Sequence, residues 1–280
     1  FIPNDSPFAG RDGKFVTSRQ IEERLRRETL SDVALEYEEL TEETGFKVSG
    51  RGELHLSILI ERMRREGYEF QVSRPQVLFR VVDGVTLEPY EDMVVDCGEE
   101  HAGAVIEKLG KRRGRLKDMR QADGMARLEF RVPMRGLLGY RGEFMTDTKG
   151  MGKYSHVFAE WGADAGEMRQ RQNGVLVVME TCTTAGYALA KLQDRGELFY
   201  GPGEDVYEGQ VIGEHCRGND LVVNPGKGKK LTNMRASGSD DNVQLSTPRQ
   251  LSLEDYIAYL NDDELLEITP KYIRMRKRSR

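Results

Sequence analysis

An alternation of helical and extended apolar patterns constrains the fold of this chain more than any other feature of its sequence. One stripe at the helical spacing i, i+3, i+4, i+7 consists of Leu56, Leu59, Ile60 and Met63. This stripe predicts an amphipathic helix that buries one face. Residues 33–37 and 46–48 before it, and residues 68–72 after it, alternate or cluster as short strands do.

A second helix is predicted nearer the start of the chain. Thr17 and Gln20 have the spacing of a capping box, in which the threonine hydroxyl accepts a hydrogen bond from the third helical amide. The helix that follows extends to about residue 29. The order over residues 1–75 is therefore helix, strand, strand, helix, strand. One further strand before the first helix would complete a split βαβ sandwich of the ferredoxin type.

The same rhythm repeats over residues 76–160. The pattern predicts a strand, a helix, two strands, a glycine-rich short-helical stretch and a closing strand, at residues 93–97, 100–112, 115–116, 127–132, 136–145 and 154–158. The turn between the two middle strands is placed at Asp123 and Gly124. A second ferredoxin-like unit is the prediction for this segment.

Residues 161–280 differ from the two preceding segments because strand patterns dominate. Strands are predicted at 175–179, 186–190 and 197–200, and a helix at 252–260. A glycine-rich basic stretch at 224–230 is expected to stay outside any core. The fold class predicted for the chain is therefore α+β. Two ferredoxin-like α/β sandwich domains, 1–75 and 76–160, precede a mainly β domain with one helix, 161–280.

The composition restricts what these domains could do. The net charge of −5 argues against indiscriminate binding to nucleic acid, so any RNA contact must come from local patches. No apolar run approaches the roughly 18 residues of a bilayer-spanning helix, and we expect no signal peptide. Three widely spaced cysteines indicate free thiols in a reducing cytoplasm. Because the sequence starts at Phe1 without an initiator methionine, we expect it to be part of a longer protein.

Motifs for catalysis are missing from the sequence. A phosphate-gripping P-loop needs GxxxxGK followed by Ser or Thr, and the stretches at 10–15 and 226–232 do not fit it. The four histidines do not cluster, and His55 has no second ligand one turn away, so a hydrogen-bonded histidine is favoured over a metal ligand. No nucleophile motif of the GxSxG kind occurs. The sequence predicts no catalytic residue, no cofactor and no metal within these residues.

Two basic features stand out against the acidic background. Residues 217–235 carry five cations against one acid, Asp220, on a glycine-rich loop that also offers hydrogen-bonding side chains. Lysine and arginine with neighbouring Asn, Thr and Ser are typical of RNA backbone contacts. The second feature is the tail, 271–280, for which RNA contact and a solvated end without a partner are equal alternatives.

Several stretches resemble the elongation-factor-G-like translational GTPases. Residues 49–56 (SGRGELHL) resemble the start of the second helix of their domain III. Residues 88–91 (EPYE) and 135–141 (RGLLGYR) resemble their domain V. Three further stretches are similar to the TypA/BipA subfamily: 8–20 (FAGRDGKFVTSRQ), 171–176 (RQNGVL) and 228–238 (GKKLTNMRASG). The resemblance covers the whole chain and implies domain III, domain V and the C-terminal domain found only in that subfamily.

The resemblance also implies a function. The resemblance implies that this chain is the ribosome-docking part of a cytoplasmic GTPase that supports translation under stress and large-subunit assembly. This part would contact 23S rRNA and A-site tRNA. GTP and Mg²⁺ would belong to a G domain of the longer protein, and no membrane or small-molecule substrate is expected here. The RNA-binding residues implied by the loop, or proposed from the tail, are Lys229, Lys230, Thr232, Asn233, Arg235, Ser237, Arg274, Arg276, Lys277 and Arg278.

Two alternatives remain open from the sequence. The chain could be a protein-interaction scaffold without RNA contact. The C-terminal domain could also carry a catalytic site of its own, acting on a nucleotide, although no convergent titratable groups support that.

Overall fold

The computed structural model describes residues 1–168, 171–228 and 244–278. Contacts divide the chain into two compact units: unit 1 comprises Phe1–Arg74 with Arg171–Arg280, and unit 2 comprises Pro75–Gln170. In the ranges that the structure describes, no helix has both the length and the apolar character needed to cross a membrane.

The first part of unit 1 follows the predicted order and adds the missing first strand. Its elements are β1 (Ile2–Pro3), α1 (Ser18–Ser31), β2 (Glu36–Glu39), β3 (Phe46–Ser49), α2 (Glu53–Arg65) and β4 (Phe70–Ser73). Thr17 caps α1 through the predicted capping box with Gln20. On α2, Leu59, Ile60 and Met63 are buried.

The strands of this part have the neighbour order of a ferredoxin-like sheet. β2 pairs with β3, and β1 pairs antiparallel with β4. The Phe46 amide at the start of β3 donates to the Phe1 carbonyl at 2.8 Å, which places β3 beside β1. The order β2, β3, β1, β4 is that of the split βαβ motif, so this prediction is confirmed.

Unit 2 is a second ferredoxin-like sandwich. Its elements are β5 (Arg80–Val82), β6 (Val85–Gly98), α3 (Glu99–Lys111), β7 (Arg115–Ala122), β8 (Met125–Pro133), α4 (Met134–Leu137), α5 (Tyr140–Asp147) and β9 (Lys153–Ala163). β6 pairs with β8 on one side and β9 on the other, and β7 pairs with β8. The predicted turn at Asp123 and Gly124 is confirmed, and both residues have positive φ as a tight hairpin turn requires.

The C-terminal part of unit 1 is rich in short strands. Its elements are β10 (Val175–Val178), β11 (Cys182–Thr183), α6 (Gly186–Leu192), β12 (Gly196–Leu198), β13 (Asp205–Val206), β14 (Val211–His215), β15 (Leu221–Val223), α7 (Leu253–Tyr259), β16 (Glu264–Ile268) and β17 (Ile273–Lys277). One sheet has the order β12, β14, β10, β15, and β11 pairs with β13. The α+β class, with a mainly β C-terminal part and a late helix, is confirmed.

The last two strands join the sheet of the first part. β16 lies antiparallel to β4, with Leu266 opposite Val72, and β17 pairs with β16. This pairing covers β4, which would otherwise be an open edge with unpaired backbone groups. One buried core therefore contains side chains from both ends of the chain, among them Leu59, Phe70, Val175, Tyr256 and Leu266.

The predicted division into residues 1–75, 76–160 and 161–280 stays a prediction about sequence segments. In three dimensions the contacts unite most of the first and third segments in unit 1. The strand β9 also continues past residue 160, to Ala163.

Two predictions about the C-terminal part were wrong, and one of the two alternatives for its tail is excluded. Residues 186–190 begin helix α6 and not a strand, which agrees with the high helix propensity of Ala188, Leu189 and Lys191. The stretch at 224–226 is not outside the core, because Pro225 is buried and Gly226 lies against Cys182. The described part of the basic tail contains strand β17 and is not a free end.

Candidate nucleic-acid interface

The main predicted RNA-binding segment lies outside the described residues. It comprises Lys229, Lys230, Thr232, Asn233, Arg235 and Ser237. The assignment of these residues therefore stays a prediction, and the structure contributes the frame on either side of them.

That frame is the short helix α6. On the N-terminal side of the segment, the Ala185 amide that precedes α6 donates to the Pro225 carbonyl at 2.8 Å. On the C-terminal side, Gln193 follows α6; its Nε2 donates to the Gln244 carbonyl and its Oε1 accepts from the Ser246 amide, both at 3.1 Å. The chain before residue 229 and the chain after residue 243 are thus fixed at opposite ends of one helix.

The predicted tail residues Arg274 and Arg276 lie in the interior of unit 1. They are 7% and 6% exposed. Arg274 Nη1 lies 3.6 Å from Glu267 Oε1, and its guanidinium stacks over the Tyr272 ring at 4.2 Å. Arg276 Nη1 donates to Asp5 Oδ1 at 2.8 Å. The prediction of RNA contact is corrected for these two arginines, because both are buried and each already lies beside a carboxylate.

Lys277 and Arg278 also have carboxylate partners. Lys277 Nζ lies within 3.0 Å of carboxylate oxygens of Asp220, Asp263 and Glu264. Burial lowers the pKa of Lys277, but the hydrogen bonds that it donates to these acids outweigh burial and raise it, so the ammonium is charged and neutralised within the fold. The Arg278 side chain, which is 42% exposed, pairs with Glu43 at 2.6 Å. Its RNA contact stays a prediction.

A cavity that sequence reasoning missed lies beside the start of the predicted segment. Its volume is about 220 Å³, and its lining consists of Phe8, Arg11, Thr181, Cys182, Thr183 and Asp205. Gly226 packs closely against Cys182, one of these lining residues, because a Cβ at Gly226 would lie only 2.7 Å from Cys182 Cβ. The resemblance of residues 8–20 to the TypA/BipA subfamily is the sequence signal that falls on this site, but this resemblance does not imply a role for these residues.

The loop of residues 8–13 that supplies Arg11 is held by a buried carboxylate. Glu69 on the chain before β4 is fully buried, and its oxygens accept from the amides of Gly10 at 2.6 Å and Gly13 at 2.8 Å. These two bonds flank Arg11 on both sides. The guanidinium of Arg11 lies 3.9 Å from the centre of the Phe8 ring, in a cation–π arrangement.

Other groups with possible chemistry have structural partners. His55 Nε2 lies 2.6 Å from Asp32 Oδ2, which confirms a hydrogen-bonded histidine. Burial raises the pKa of the Cys182 thiol, as does the charge of Glu180, so it is a neutral thiol at physiological pH. Within residues 1–168, 171–228 and 244–278, no group of three or more His, Cys, Asp or Glu could hold a metal ion.

Comparison with protein families gives two matches along the chain. Residues 85–172 match the model described as elongation factor G C-terminus, and residues 173–280 match the TypA/BipA C-terminal domain. Neither matched model is described as a nucleotide-hydrolysing domain.

Curated relatives align with the whole chain. A Haemophilus influenzae protein named large ribosomal subunit assembly factor BipA is 54% identical over 280 residues, which are 99% of this chain and 46% of the relative. Proteins of the same name from Escherichia coli K12 and Synechocystis are 53% and 50% identical. The chain spans about half the length of the curated relatives it matches.

Proposed function

Because this chain belongs to the TypA/BipA family, we propose that it is the part of a translational GTPase that binds the large ribosomal subunit. Its relatives are named as large ribosomal subunit assembly factors. In this proposal the residues 229–238 contact 23S rRNA and the acceptor end of an A-site tRNA, and the protein acts in the cytoplasm, in subunit assembly and in translation under stress. GTP and Mg²⁺ would be bound by a G domain of the longer protein.

The fixed frame around the segment is the observation that carries this proposal. Helix α6 holds both flanks of residues 229–243 through hydrogen bonds at Ala185 and Gln193. Within 229–238 the sequence has three cations, Lys229, Lys230 and Arg235, and no acid. A positively charged segment held at both ends by a rigid support costs less to order on RNA than a free tail would. This favours the internal segment over the buried tail as the RNA-binding element.

The proposal is tested by co-sedimentation with purified large subunits over a range of salt concentrations. Replacing both Lys229 and Lys230 by alanine should weaken binding and lower the slope of log affinity against log salt by about 1.5, since each lysine on a phosphate releases a counterion. The matched control is Lys14→Ala with Lys47→Ala, which removes the same charge from exposed positions elsewhere in unit 1.

Equal affinity and equal salt slope for the two double variants would show that the segment is not the RNA contact. Nuclease-insensitive binding to a ribosomal protein would instead favour the scaffold alternative.

A further inference from the structure

We propose that the cavity beside α6 is a binding site for one unpaired base of the RNA that the chain contacts. This inference rests on the proposed function, and it adds a second, base-reading site to the charged segment 229–238. The residues around the cavity provide a flat stacking surface, a support that fixes this surface, and a hydrogen-bond acceptor.

The stacking surface is Arg11 on Phe8. The Phe8 ring is buried, whereas Arg11 is exposed, and the guanidinium lies 3.9 Å from the ring centre. One face of the planar guanidinium is therefore occupied by the ring. Bases splayed out of an RNA strand stack on arginine planes and aromatic rings. In the ranges that the structure describes, no ion pair competes for Arg11.

The stacking surface is fixed before any ligand arrives. Glu69 holds the amides of Gly10 and Gly13, and Phe8 packs edge-on against the buried Tyr207 ring with centroids 5.1 Å apart. The buried Arg274 guanidinium also lies 5.3 Å from the Phe8 ring centre. An aromatic ring held by these contacts does not have to be ordered when a base binds, which lowers the entropy cost of binding.

The acceptor is Asp205, which also lines the cavity. Its Oδ1 accepts from Thr183 Oγ1 at 2.7 Å, and its side chain is exposed to the cavity. A carboxylate repels phosphate but accepts hydrogen bonds from the amino groups of bases, as acidic side chains do with cytosine. With one cation and one carboxylate, the cavity suits the edge and face of a base better than a phosphate group.

The position of the cavity connects it to the proposed RNA segment. Cys182 forms its wall, and Gly226 lies against Cys182 just before residue 229. If the segment binds one phosphate of the RNA near residue 229, the base of the neighbouring nucleotide could therefore enter the cavity. This assigns a role to residues 8–13, for which the ribosome-docking proposal alone has none.

The test compares oligoribonucleotides of about eight nucleotides, a length within the usual footprint of single-strand binding sites. Fluorescence anisotropy measures the affinity of the full 280-residue chain for oligo(C) and for an abasic oligomer with the same backbone. We expect the wild type to prefer oligo(C) about tenfold, and Arg11→Lys, which keeps the charge but loses the plane, to reduce this preference to about twofold or less.

The second variant addresses the acceptor. Asp205→Asn should reduce the preference for oligo(C) over the abasic oligomer about fivefold, because a neutral amide oxygen accepts from the amino group of the base more weakly than a carboxylate does. Loss of the negative charge strengthens the binding of both oligomers alike, so the ratio of the two affinities is the readout. Arg26→Lys is the matched control for Arg11→Lys. Arg26 is exposed on α1 and does not line the cavity, so this variant makes the same arginine-to-lysine change at a different place. Circular dichroism of each variant verifies that the chain is folded.

The outcomes separate this site from the proposed function. A wild type without preference for oligo(C), or an Arg11→Lys variant that keeps the preference, overturns the base site whatever happens with ribosomes. A base preference that Arg11→Lys removes supports the site even if alanines at 229 and 230 leave ribosome binding unchanged. In that second case only the assignment of the segment fails.

Discussion

Replacing Tyr207 by phenylalanine tests whether the shared sheet of unit 1 depends on a buried hydrogen-bond network. The Tyr207 hydroxyl donates to Glu267 Oε2 at 2.6 Å, and both residues are fully buried. The other oxygen of Glu267 accepts from Asn4 Nδ2 at 2.9 Å and from Ser6 Oγ at 2.8 Å. Glu267 on β16 therefore connects the start of the chain with the C-terminal part.

The expected cost follows from the state of the Glu267 carboxylate. Burial raises the pKa of Tyr207, as does the charge of Glu267, so the hydroxyl stays protonated and available as a donor. After Tyr207→Phe, Glu267 Oε2 keeps no hydrogen-bond donor in the ranges that the structure describes. A hydrogen bond to a charged group contributes about 1.5–3 kcal/mol, and the ring packing is kept, so we expect unit 1 to lose about 2 kcal/mol.

Urea denaturation followed by circular dichroism measures this loss. Hydrogen exchange of peptides containing β4 and β16 should show reduced protection in the variant. Trp161 is the single tryptophan of the sequence and lies on β9, so its fluorescence follows unit 2 separately. Tyr37→Phe is the control, since it removes a hydroxyl that is not buried. A loss below about 0.5 kcal/mol, the size expected of a surface substitution, would refute the reasoning.

Three further predictions concern other contacts of unit 1. Arg171→Leu leaves the buried Glu264 without its bidentate partner at 2.7 and 3.0 Å, and should lower stability by about 3 kcal/mol in urea denaturation. Burial raises the pKa of Asp220, but the Lys277 ammonium and a backbone amide outweigh it and lower the pKa. The stabilisation from Asp220 is therefore complete above its ordinary pKa of 3.8 and is lost as the pH falls through the lower folded value. The stability difference between wild type and Asp220→Asn should shrink accordingly below about pH 4, and a difference independent of pH would contradict this. Gly196→Ala places a methyl group against the Glu214 carbonyl in the β12–β14 pair, and should lower the melting temperature by about 5 °C or more; an unchanged value would show that the strands can separate freely.

Elements with strong local signals were predictable from sequence. The capping box at Thr17, the apolar stripe of α2 and the Asp123–Gly124 turn each depend on residues within a few positions of one another. Their formation needs little information from the rest of the chain. The two ferredoxin-like units were predictable for the same reason, because each consists of locally encoded helices and strands that follow one another along the chain.

The candidate site was only partly predictable. The cations of residues 229–238 were identified from local composition, whereas the cavity joins Arg11 with Thr183 and Asp205, which are about 170 to 190 positions further along the chain. No local pattern relates such residues. For the basic tail, composition left RNA contact and a solvated end as equal alternatives. It could not show that Arg274 is buried beside Glu267 of the neighbouring strand, or that the buried Arg276 pairs with Asp5 from the other end of the chain.

The sequence by itself determined most of the helices and strands of this protein, with α6 as an exception, and which family motifs it carries. The tertiary structure decided how the two ends of the chain combine. β4 has an open edge that any strand of suitable register could cover, and only the fold shows that β16 covers it. Burial then converts the charges of β17 from candidate RNA contacts into internal ion pairs, because a buried cation requires a partner within the fold.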